Sequence, residues 1–398
     1  MDTKTLMEWS AKYHTPNYGR TPICLVRGDG VRVWDTDGRE YLDFGSGIAV
    51  TSLGHSHARV TGAIQEAAAT LLHVSNIYHT VPQIHLAKLL CEHSFADRVF
   101  FSNSGAEANE AAIKIARKYG KERLATDRYE IIATHNSFHG RTLATVSATG
   151  QPKYHHGFEP MVPGFKHVPY NDLRAMERAM DSHTAAILVE PIQGEGGVHV
   201  PDDDYLPGLR KLCDASGALL MVDEIQTGMG RTGRLWAHEH TGVVPDVMTL
   251  AKALANGVPI GATLVREEVG SVLTPGTHGS TFGGTPFVTS VALATLTTML
   301  DERIPERAAR MGRLLMERLA AMAKARPVIT TVRGRGLLIG IELTTPAAPV
   351  VDACREGGLL VLSAGDKVLR LAPPLIVDEK DCERALGVID GALAAAGA

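Results

Sequence analysis

Cysteine is scarce in this chain of 398 residues, and no apolar run is long enough to cross a membrane. A spanning helix needs about 18 or more consecutive apolar residues. The N-terminus, MDTKTLMEWSAKYH, is too polar for a secretory signal peptide. The thiols form no C-x-x-C pair, and an odd, unpatterned set is typical of reduced cysteines: Cys24, Cys91, Cys213, Cys354 and Cys382. We therefore expect a cytoplasmic protein.

An excess of charge of either sign is also missing. The chain carries 40 Lys+Arg against 44 Asp+Glu, a net charge of −4, which gives no general attraction to nucleic acid or to a membrane surface. The histidines lack the companions that zinc spacing requires, so we expect no metal site. A length of 398 residues favours two domains, or one large domain with a satellite.

Between residues 58 and 300, short apolar runs alternate with helical stretches. The predicted strands are 98–101, 130–133, 186–189, 219–222 and 247–250, and the predicted helices are 59–73, 105–119, 171–181 and 205–216. Runs rich in Val, Ile and Leu that are separated by helices indicate a largely parallel sheet with helices on both faces. The sequence therefore predicts an α/β fold for this region.

The two ends of the chain have a different pattern. Residues 32–42 form a predicted hairpin around the turn Asp35-Thr36-Asp37-Gly38. Beyond residue 300 we predict a helix over 302–325, a strand over 336–343, a helix near 349–356, strands at 359–362 and 368–371, and a last helix at 378–395. We expect residues 1–57 and 301–398 to form a smaller α+β domain, and 58–300 to form the large domain.

The stretch VDEIQTGMGRTG at 222–233 contains a G-x-G-x-x-G pattern. A dinucleotide-binding loop must follow a strand directly and open a helix, with an acidic residue about 20 positions later. Here four residues separate Asp223 from Gly228, and Asp246 comes too early. This spacing favours a plain flexible loop over a dinucleotide site.

Asp223 and Lys252 each follow a predicted buried strand. Asp223 alone could equally be a helix cap or a surface acid, and Lys252 alone is more often a surface lysine whose stem packs on apolar neighbours. Ligands of open parallel sheets bind beyond the carboxyl ends of the strands. A lysine that bonds to the cofactor and an acid that keeps its pyridine nitrogen protonated are what pyridoxal phosphate enzymes need.

An anion site is predicted at the start of the helix that follows strand 98–101. Ser104 is suited to cap this helix, Gly105 and Ala106 offer free N–H groups, and Gly120 is expected to end it. An ordinary capped helix is the alternative. Arg370 lies in an apolar strand and needs a partner, either a substrate carboxylate or an internal salt bridge.

Six stretches, in the same order along the chain, resemble the class III aminotransferases, which are pyridoxal phosphate enzymes of fold type I. The resemblance covers about residues 20 to 390, and the matching stretches are NSGAEANEA at 103–111, FHGRT at 138–142, VEPIQGEGG at 189–197, DEIQTG at 223–228, Lys252, and HGSTFGG at 278–284. The resemblance implies pyridoxal 5′-phosphate as the cofactor and an α/β fold of type I.

The same resemblance assigns roles to individual residues. Lys252 would be the Schiff-base lysine and Asp223 the partner of the pyridine nitrogen. Thr281 would reach the phosphate of the other subunit's cofactor, so a homodimer is implied. The remaining predicted cofactor contacts are Ser104, Gly105 and Ala106 at the phosphate, Phe138 over the ring, Gln226 at the ring hydroxyl, and the neighbouring Glu224 and Ile225.

Within the family, residues 280–284, 357–362 and 368–375 are most similar to the acetylornithine aminotransferases. That similarity implies amino transfer between N-acetylornithine and 2-oxoglutarate. Arg141, with Ser280 nearby, would bind the α-carboxylate of the donor, and Arg370 that of 2-oxoglutarate. Glu195 would pair with Arg370 when the bound amine has no carboxylate at its reacting carbon. The rival hypotheses are a 4-aminobutyrate or ornithine aminotransferase, an aminomutase or decarboxylase of the same fold, a non-catalytic binding protein, and a dinucleotide oxidoreductase.

Overall fold

A computed structural model describes residues 2–124 and 127–397 of the chain. Its strands form three sheets, of four, seven and four strands. In chain order the strands are β1 (Leu25–Asp29), β2 (Arg32–Asp35), β3 (Glu40–Asp43), β4 (Arg98–Ser102), β5 (Glu130–Thr134), β6 (Phe165–Val168), β7 (Thr184–Val189), β8 (Leu219–Asp223), β9 (Val247–Leu250), β10 (Gly261–Val265), β11 (Ile329–Arg335), β12 (Leu338–Leu343), β13 (Leu359–Leu360), β14 (Leu362–Ala364) and β15 (Val368–Leu371).

The helices of the described residues flank these sheets. They are α1 (Thr3–Tyr13), α2 (Ser46–Ala49), α3 (Ala58–Thr70), α4 (Val81–Glu92), α5 (Gly105–Arg123), α6 (Leu143–Ala148), α7 (Leu173–Ala179), α8 (Tyr205–Ser216), α9 (Glu267–Gly270), α10 (Pro286–Asp301), α11 (Ile304–Ala325), α12 (Ala348–Glu356) and α13 (Glu379–Gly397). None of them combines the length and the hydropathy that crossing a lipid bilayer would take.

The seven-stranded sheet has the strand order β4-β10-β9-β8-β7-β5-β6. Strand β10 runs antiparallel to both of its neighbours, and all other adjacent pairs are parallel. Side chains alternate between the two faces, as a pleated strand requires. Met221 of β8 therefore packs with Ile113 of α5 on one face, whereas Leu220 packs with Leu209 of α8 on the other. The predicted fold, a mostly parallel sheet covered by helices on both faces, is confirmed.

This sheet brings several chemically active side chains to one edge. The parallel strands end side by side, so the residues that follow β4, β7, β8 and β9 meet beyond their carboxyl ends. Those residues include Ser104, Glu190, Asp223 at the last position of β8, and Lys252. A ligand site at this edge is what the geometry of open α/β sheets favours.

The predicted single strand at 359–362 is wrong, because the chain breaks at Val361. The first half, β13, pairs in parallel with β3 in the sheet β1-β2-β3-β13, whereas the second half, β14, pairs with β15 in the sheet β11-β12-β15-β14. An uninterrupted apolar run carries no signal for such a switch between sheets. The division into a small domain of 1–57 with 301–398 and a large domain of 58–300 stays a proposal, supported by the pairing of β13 with β3.

The predicted end of α5 at Gly120 is also wrong. The helix continues through Gly120 to Arg123. A Cβ at position 120 would collide with the carbonyl oxygen of Arg128. The glycine therefore permits a close approach between two backbone segments and does not end the helix.

Candidate active site

A cavity of about 390 Å³ opens at the carboxyl edge of the seven-stranded sheet. Most of the residues predicted for the site lie in its wall: Ser104, Gly105, Ala106, Phe138, Arg141, Glu195, Asp223, Ile225, Gln226 and Lys252. Asn103, His139 and Glu190 also contribute. The tertiary structure thus collects segments that are up to 210 positions apart, from Val50 to Ile260, around one space.

Lys252 lies inside the cavity, directly after β9. Its φ of 38° is in the left-handed region, a strained conformation for a residue with a side chain. Asn256 fastens the turn that holds it, because its side chain accepts from the N–H of Leu53 at 2.8 Å and donates to the carbonyl of Gly54 at 3.0 Å. Within the described residues, the Lys252 amine has no hydrogen bond or ion pair. Burial lowers the pKa of Lys252, although the Glu195 carboxylate opposes the shift, so a neutral, nucleophilic amine is favoured.

Asp223 is held by a buried network that spans three elements. Its Oδ2 accepts from Asn109 Nδ2 at 2.7 Å and from His139 Nδ1 at 2.8 Å, and its Oδ1 accepts from the N–H of Ile225 at 3.1 Å. Asn109 in turn accepts from the Thr249 hydroxyl at 2.8 Å. The carboxylate is 3% exposed, so these partners orient it and compensate its burial.

The N-terminus of α5 faces the same cavity. The Ser104 side chain caps the helix by accepting from the N–H of Glu107 at 3.2 Å, as the sequence predicted. Glu107 Oε2 accepts from the N–H of Asn103 at 2.6 Å. A Cβ at Gly105 would lie 2.8 Å from Ile225 Cδ1, so glycine lets the two segments pack together. The positive end of the helix dipole and the free N–H groups favour an anion here.

Arg370 lies behind the wall of the cavity and forms an ion pair with Glu195, which lines it. The guanidinium Nη1 lies 2.5 Å from Glu195 Oε1 and 3.3 Å from Gln226 Oε1, and Arg370 is 2% exposed. Burial would raise the pKa of Glu195, but Arg370 and Lys252 hold it below its ordinary value. The Nε of Arg370 has no partner among the described residues. The arginine therefore keeps hydrogen-bonding capacity for a carboxylate.

Arg141 reaches the cavity from the opposite side and is exposed. Its guanidinium carbon lies 3.9 Å from the ring centroid of Tyr154 and 5.6 Å from that of Phe138. Stacking on aromatic rings orients the guanidinium and leaves its hydrogen-bond donors available. The site therefore holds two arginines, of which one is paired and one is stacked.

Four predicted site residues do not line the cavity: Arg370, which reaches it only through Glu195, and Glu224, Ser280 and Thr281. The Glu224 carboxylate is buried behind it and accepts from the Thr227 hydroxyl at 2.6 Å and from the N–H of His238 at 2.8 Å. Ser280 contacts the cavity wall indirectly, since its Oγ lies 3.0 Å from Asn103 Nδ2. Thr281 is exposed on the loop before α10. Their predicted roles stay predictions.

Sequence reasoning missed three polar residues of the site: Asn109, His139 and Glu190. Asn109 could have been found, because a buried polar side chain within an alanine-rich helix needs a partner. Glu190 follows β7, and its carboxylate accepts from the N–H groups of Phe138 at 3.1 Å and Gly194 at 3.3 Å. Burial raises the pKa of Glu190 to about 7. Only the tertiary structure brings it next to Asp223 and Lys252.

The residues present fit pyridoxal phosphate. Lys252 offers an amine without a partner, Asp223 offers a buried carboxylate, and the capped start of α5 offers an anion site. A strained residue and shifted pKa values within one cavity mark it as the functional centre. Among the described residues, no group of three or more His, Cys, Asp or Glu side chains is arranged to hold a metal ion.

Comparison with known proteins agrees with this site. The chain is 48% identical to the acetylornithine aminotransferase of Methanocaldococcus jannaschii, over 98% of both chains. The solved ornithine aminotransferase of Toxoplasma gondii has a TM-score of 0.97 and 38% identity, with 99% of this chain and 96% of that chain covered. The acetylornithine aminotransferase of Elizabethkingia anophelis has a TM-score of 0.90 and 34% identity, with 99% and 100% covered.

The family model described as aminotransferase class-III matches residues 13–393, which is nearly the whole chain. Class III aminotransferases work with pyridoxal 5′-phosphate, the cofactor that the cavity fits. The fold, the site and the match along the whole sequence agree, and the chain belongs to the class III aminotransferases.

Proposed function

We propose that this enzyme transfers an amino group from N2-acetyl-L-ornithine to 2-oxoglutarate, giving N-acetyl-L-glutamate 5-semialdehyde and L-glutamate, a step of arginine biosynthesis. The observation that carries the proposal is the ion pair of Arg370 with Glu195, which lines the same cavity as Lys252. Relatives at 48–49% identity over nearly the full length are named acetylornithine aminotransferases, which supports the choice of donor.

When bound, pyridoxal phosphate supplies an aldehyde that accepts the amino group and a ring that stores the electron pair of the broken C–H bond. Lys252 would hold the cofactor through its amine, and with the donor bound this amine would take the proton from the reacting carbon of the substrate. The lowered pKa of Lys252 suits it to this role. Asp223 would hold a proton at the ring nitrogen, and His139 and Asn109 keep its carboxylate in place.

The two half-reactions make opposite demands on Arg370. The terminal amine of acetylornithine has no carboxylate at its reacting carbon, so Glu195 neutralises Arg370 while the donor is bound. 2-Oxoglutarate has a carboxylate beside its reacting carbonyl, and this group replaces Glu195 on Arg370. Arg141, which is free of ion pairs among the described residues, binds the α-carboxylate of the donor. One cavity thereby accepts both a terminal amine and a 2-oxo acid.

A homodimer is part of the proposal, because Thr281 would complete the phosphate site of the other subunit. An apolar patch next to this loop supports it, since the His73 and Phe282 ring centroids are 5.0 Å apart. The exposed members of this patch are Leu71, Leu72, Ile77, Tyr78, Val81, Ile84 and Phe282. A monomeric protein rarely leaves so many large apolar side chains in water. We also propose a cytoplasmic location, in keeping with five cysteines that form no disulfide.

Ornithine and 4-aminobutyrate are the alternative donors. The TM-score of 0.97 with a Toxoplasma gondii ornithine aminotransferase favours ornithine as the second candidate. Steady-state rates with acetylornithine, ornithine and 4-aminobutyrate, each with 2-oxoglutarate, separate the three. We expect the highest kcat/KM with acetylornithine and parallel lines in a double-reciprocal plot. A higher kcat/KM with either of the other donors would reject the proposed substrate.

Lys252→Ala tests the catalytic assignment. The variant should bind the cofactor without a covalent bond, so it should lose the visible absorbance band of the holoenzyme and nearly all turnover. Borohydride reduction followed by peptide mass spectrometry should label Lys252 in the wild type and no residue in the variant. Full turnover in the variant would remove Lys252 from the mechanism.

A further inference from the structure

A second, larger cavity lies away from the active site and has no role in the proposed transamination. It is a groove of about 800 Å³ that shares no lining residue with the first cavity. Its walls are the loop at 232–235, the start of α11, and the turn that joins β11 to β12. A volume of this size is in the range of small-molecule sites, about 300–1,000 Å³.

Positive charge dominates the lining of this groove. Five arginines and no lysine line it: Arg234, Arg303, Arg310, Arg313 and Arg335. The acidic residues in the lining are Glu239 and Glu306. The chain as a whole carries a net charge of −4, so this concentration is local. Arginine presents a planar fork of donors that fits phosphate and carboxylate oxygens in pairs, which lysine does not.

Most of these guanidinium groups have no partner in the protein. Within the described residues, Arg234, Arg303, Arg310 and Arg313 form no hydrogen bond and no ion pair with a side chain, whereas Arg335 contacts Asp203 at 3.2 Å. Like charges gathered in one concavity repel one another, and a bound anion relieves that repulsion.

The helix α11 arranges three of the arginines on one side of the groove. Arg303 precedes the helix, and Arg310 and Arg313 follow at spacings that bring them to the same face, because residues three, four and seven apart are neighbours on a helix. The α11 N-terminus adds the positive end of its dipole. Arg303 itself has a φ of 49°, a left-handed conformation that is uncommon for arginine.

The end of the glycine-rich run, Thr232 and Gly233, also lines the groove, and glycines fix its position. A Cβ at Gly233 would lie 2.9 Å from Ala309 Cβ of α11, and one at Gly336 would collide with the backbone of Thr232. The run 228–233 therefore packs tightly against α11 and the β11–β12 turn. This close packing fixes the backbone next to Arg234, which lines the same groove as Arg310.

We propose that this arginine groove binds a small anion that carries several negative charges, either a polyphosphate or a polycarboxylate. Its anionic groups bridge the arginines of α11 and those of the two facing loops. The inference does not depend on the transaminase assignment, because no group of the active site takes part. The last two residues of the G-x-G-x-x-G run, which is unsuited to a dinucleotide, thus line an anion site of another kind.

Isothermal titration calorimetry with the holoenzyme, saturated with pyridoxal phosphate, tests the proposal. The probes are inorganic tripolyphosphate and citrate, each with several anionic groups. Orthophosphate, which has a single phosphate group, is the comparison, and all titrations use one fixed ionic strength. Arg310→Gln/Arg313→Gln removes two charges from the groove. Arg318→Gln/Lys324→Gln removes two charges from exposed positions of the same helix outside the groove and is the matched control.

We expect saturable binding of one tripolyphosphate or citrate per chain, tighter than that of orthophosphate. In Arg310→Gln/Arg313→Gln, the loss of two charge-assisted contacts should raise the Kd of the probe at least about tenfold. In the control variant the Kd should rise less than about twofold. Whichever of the two probes binds more tightly identifies the source of the negative charge. Absence of saturable binding by both probes, or equal weakening in the control, overturns the proposal. If the double variant does not fold, Arg234→Gln in the loop at 232–235 gives the same comparison.

Discussion

In the proposed mechanism, Glu195 controls whether Arg370 can bind a substrate carboxylate. The Oε1 of Glu195 lies 2.5 Å from Arg370 Nη1, so we propose that 2-oxoglutarate displaces it. Glu195→Gln keeps the shape of the side chain and removes its charge. We expect a lower KM for 2-oxoglutarate and a kcat/KM for the amine donor reduced by about tenfold, since a charge-assisted hydrogen bond is worth about 1.5–3 kcal/mol.

Half-reactions followed by the absorbance of the cofactor measure the two effects separately. The same substitution at Glu317, an exposed residue of α11, is the control and should change neither. If Glu195→Gln slows both half-reactions equally, Glu195 does not alternate between partners and has another role.

Glu190 predicts a pH dependence of stability. Burial raises the pKa of Glu190 from 4.5 to about 7, so between these values the folded protein retains a proton that the unfolded chain releases. Stability therefore falls as pH rises through this window, because the folded state binds more protons. Each unit of pKa difference is worth about 1.4 kcal/mol.

Glu190→Gln cannot ionise and removes this dependence. In the cofactor-free protein, the variant should gain stability relative to the wild type as pH rises from 5 to 8, by up to a few kcal/mol. Urea unfolding at several pH values measures the difference. A difference that stays constant over that range would mean that Glu190 is ionised throughout.

At the scale of elements, the packing of α11 depends on the absence of a side chain at Gly312. A Cβ there would collide with the carbonyl oxygen of Gly336 in the β11–β12 turn. Gly312→Ala should therefore destabilise the protein by about 1–3 kcal/mol, although alanine favours helix.

Gly387 in α13 is the matched control, since a Cβ there would meet nothing within 4 Å. Gly387→Ala should stabilise the protein by up to about 1 kcal/mol through helix propensity alone. Thermal or urea unfolding gives both values. Stabilisation by Gly312→Ala would show that the helix and the turn can move apart at little cost.

The sequence predicted helices and strands correctly where the pattern of apolar residues was strong. The predicted helix at 205–216 matches α8, and the predicted strands at 219–222 and 247–250 match β8 and β9 to within one residue. Strand β10 and helix α10 were not predicted. β10 is a short run, GATLV, that begins with glycine, and α10 contains four threonines with apolar residues on several faces, so neither has a clear period.

At the scale of the whole molecule, the apolar patch around Thr281 predicts self-association. Ile77 is 78% exposed in the middle of this patch. Ile77→Asp should leave the fold of the single chain intact and place a desolvated charge in the proposed interface, at a cost of several kcal/mol of association energy. Sedimentation velocity should detect a dimer for the wild type and a larger monomer fraction for the variant.

The activity of Ile77→Asp should decrease as its dimer fraction decreases, because Thr281 would contact the cofactor phosphate of the other subunit. Val244→Asp is the control, since Val244 is exposed at 45% on a loop outside the patch. A wild-type enzyme that is monomeric and fully active would reject both the interface and the role of Thr281.

The sequence by itself determined the family, the fold class and the positions of Lys252 and Asp223 directly after, or at the end of, two buried strands, because these depend on local patterns: apolar strands, the residues at their ends, and motifs in a fixed order. The resemblance to the family also implied the pair of Arg370 with Glu195, which the structure contains. Only the tertiary structure joined Asp223 to Asn109 over 114 positions, placed Glu224 behind the cavity, and gathered the arginine groove from three segments. Such contacts depend on the packing of the sheets and helices, which no local pattern records.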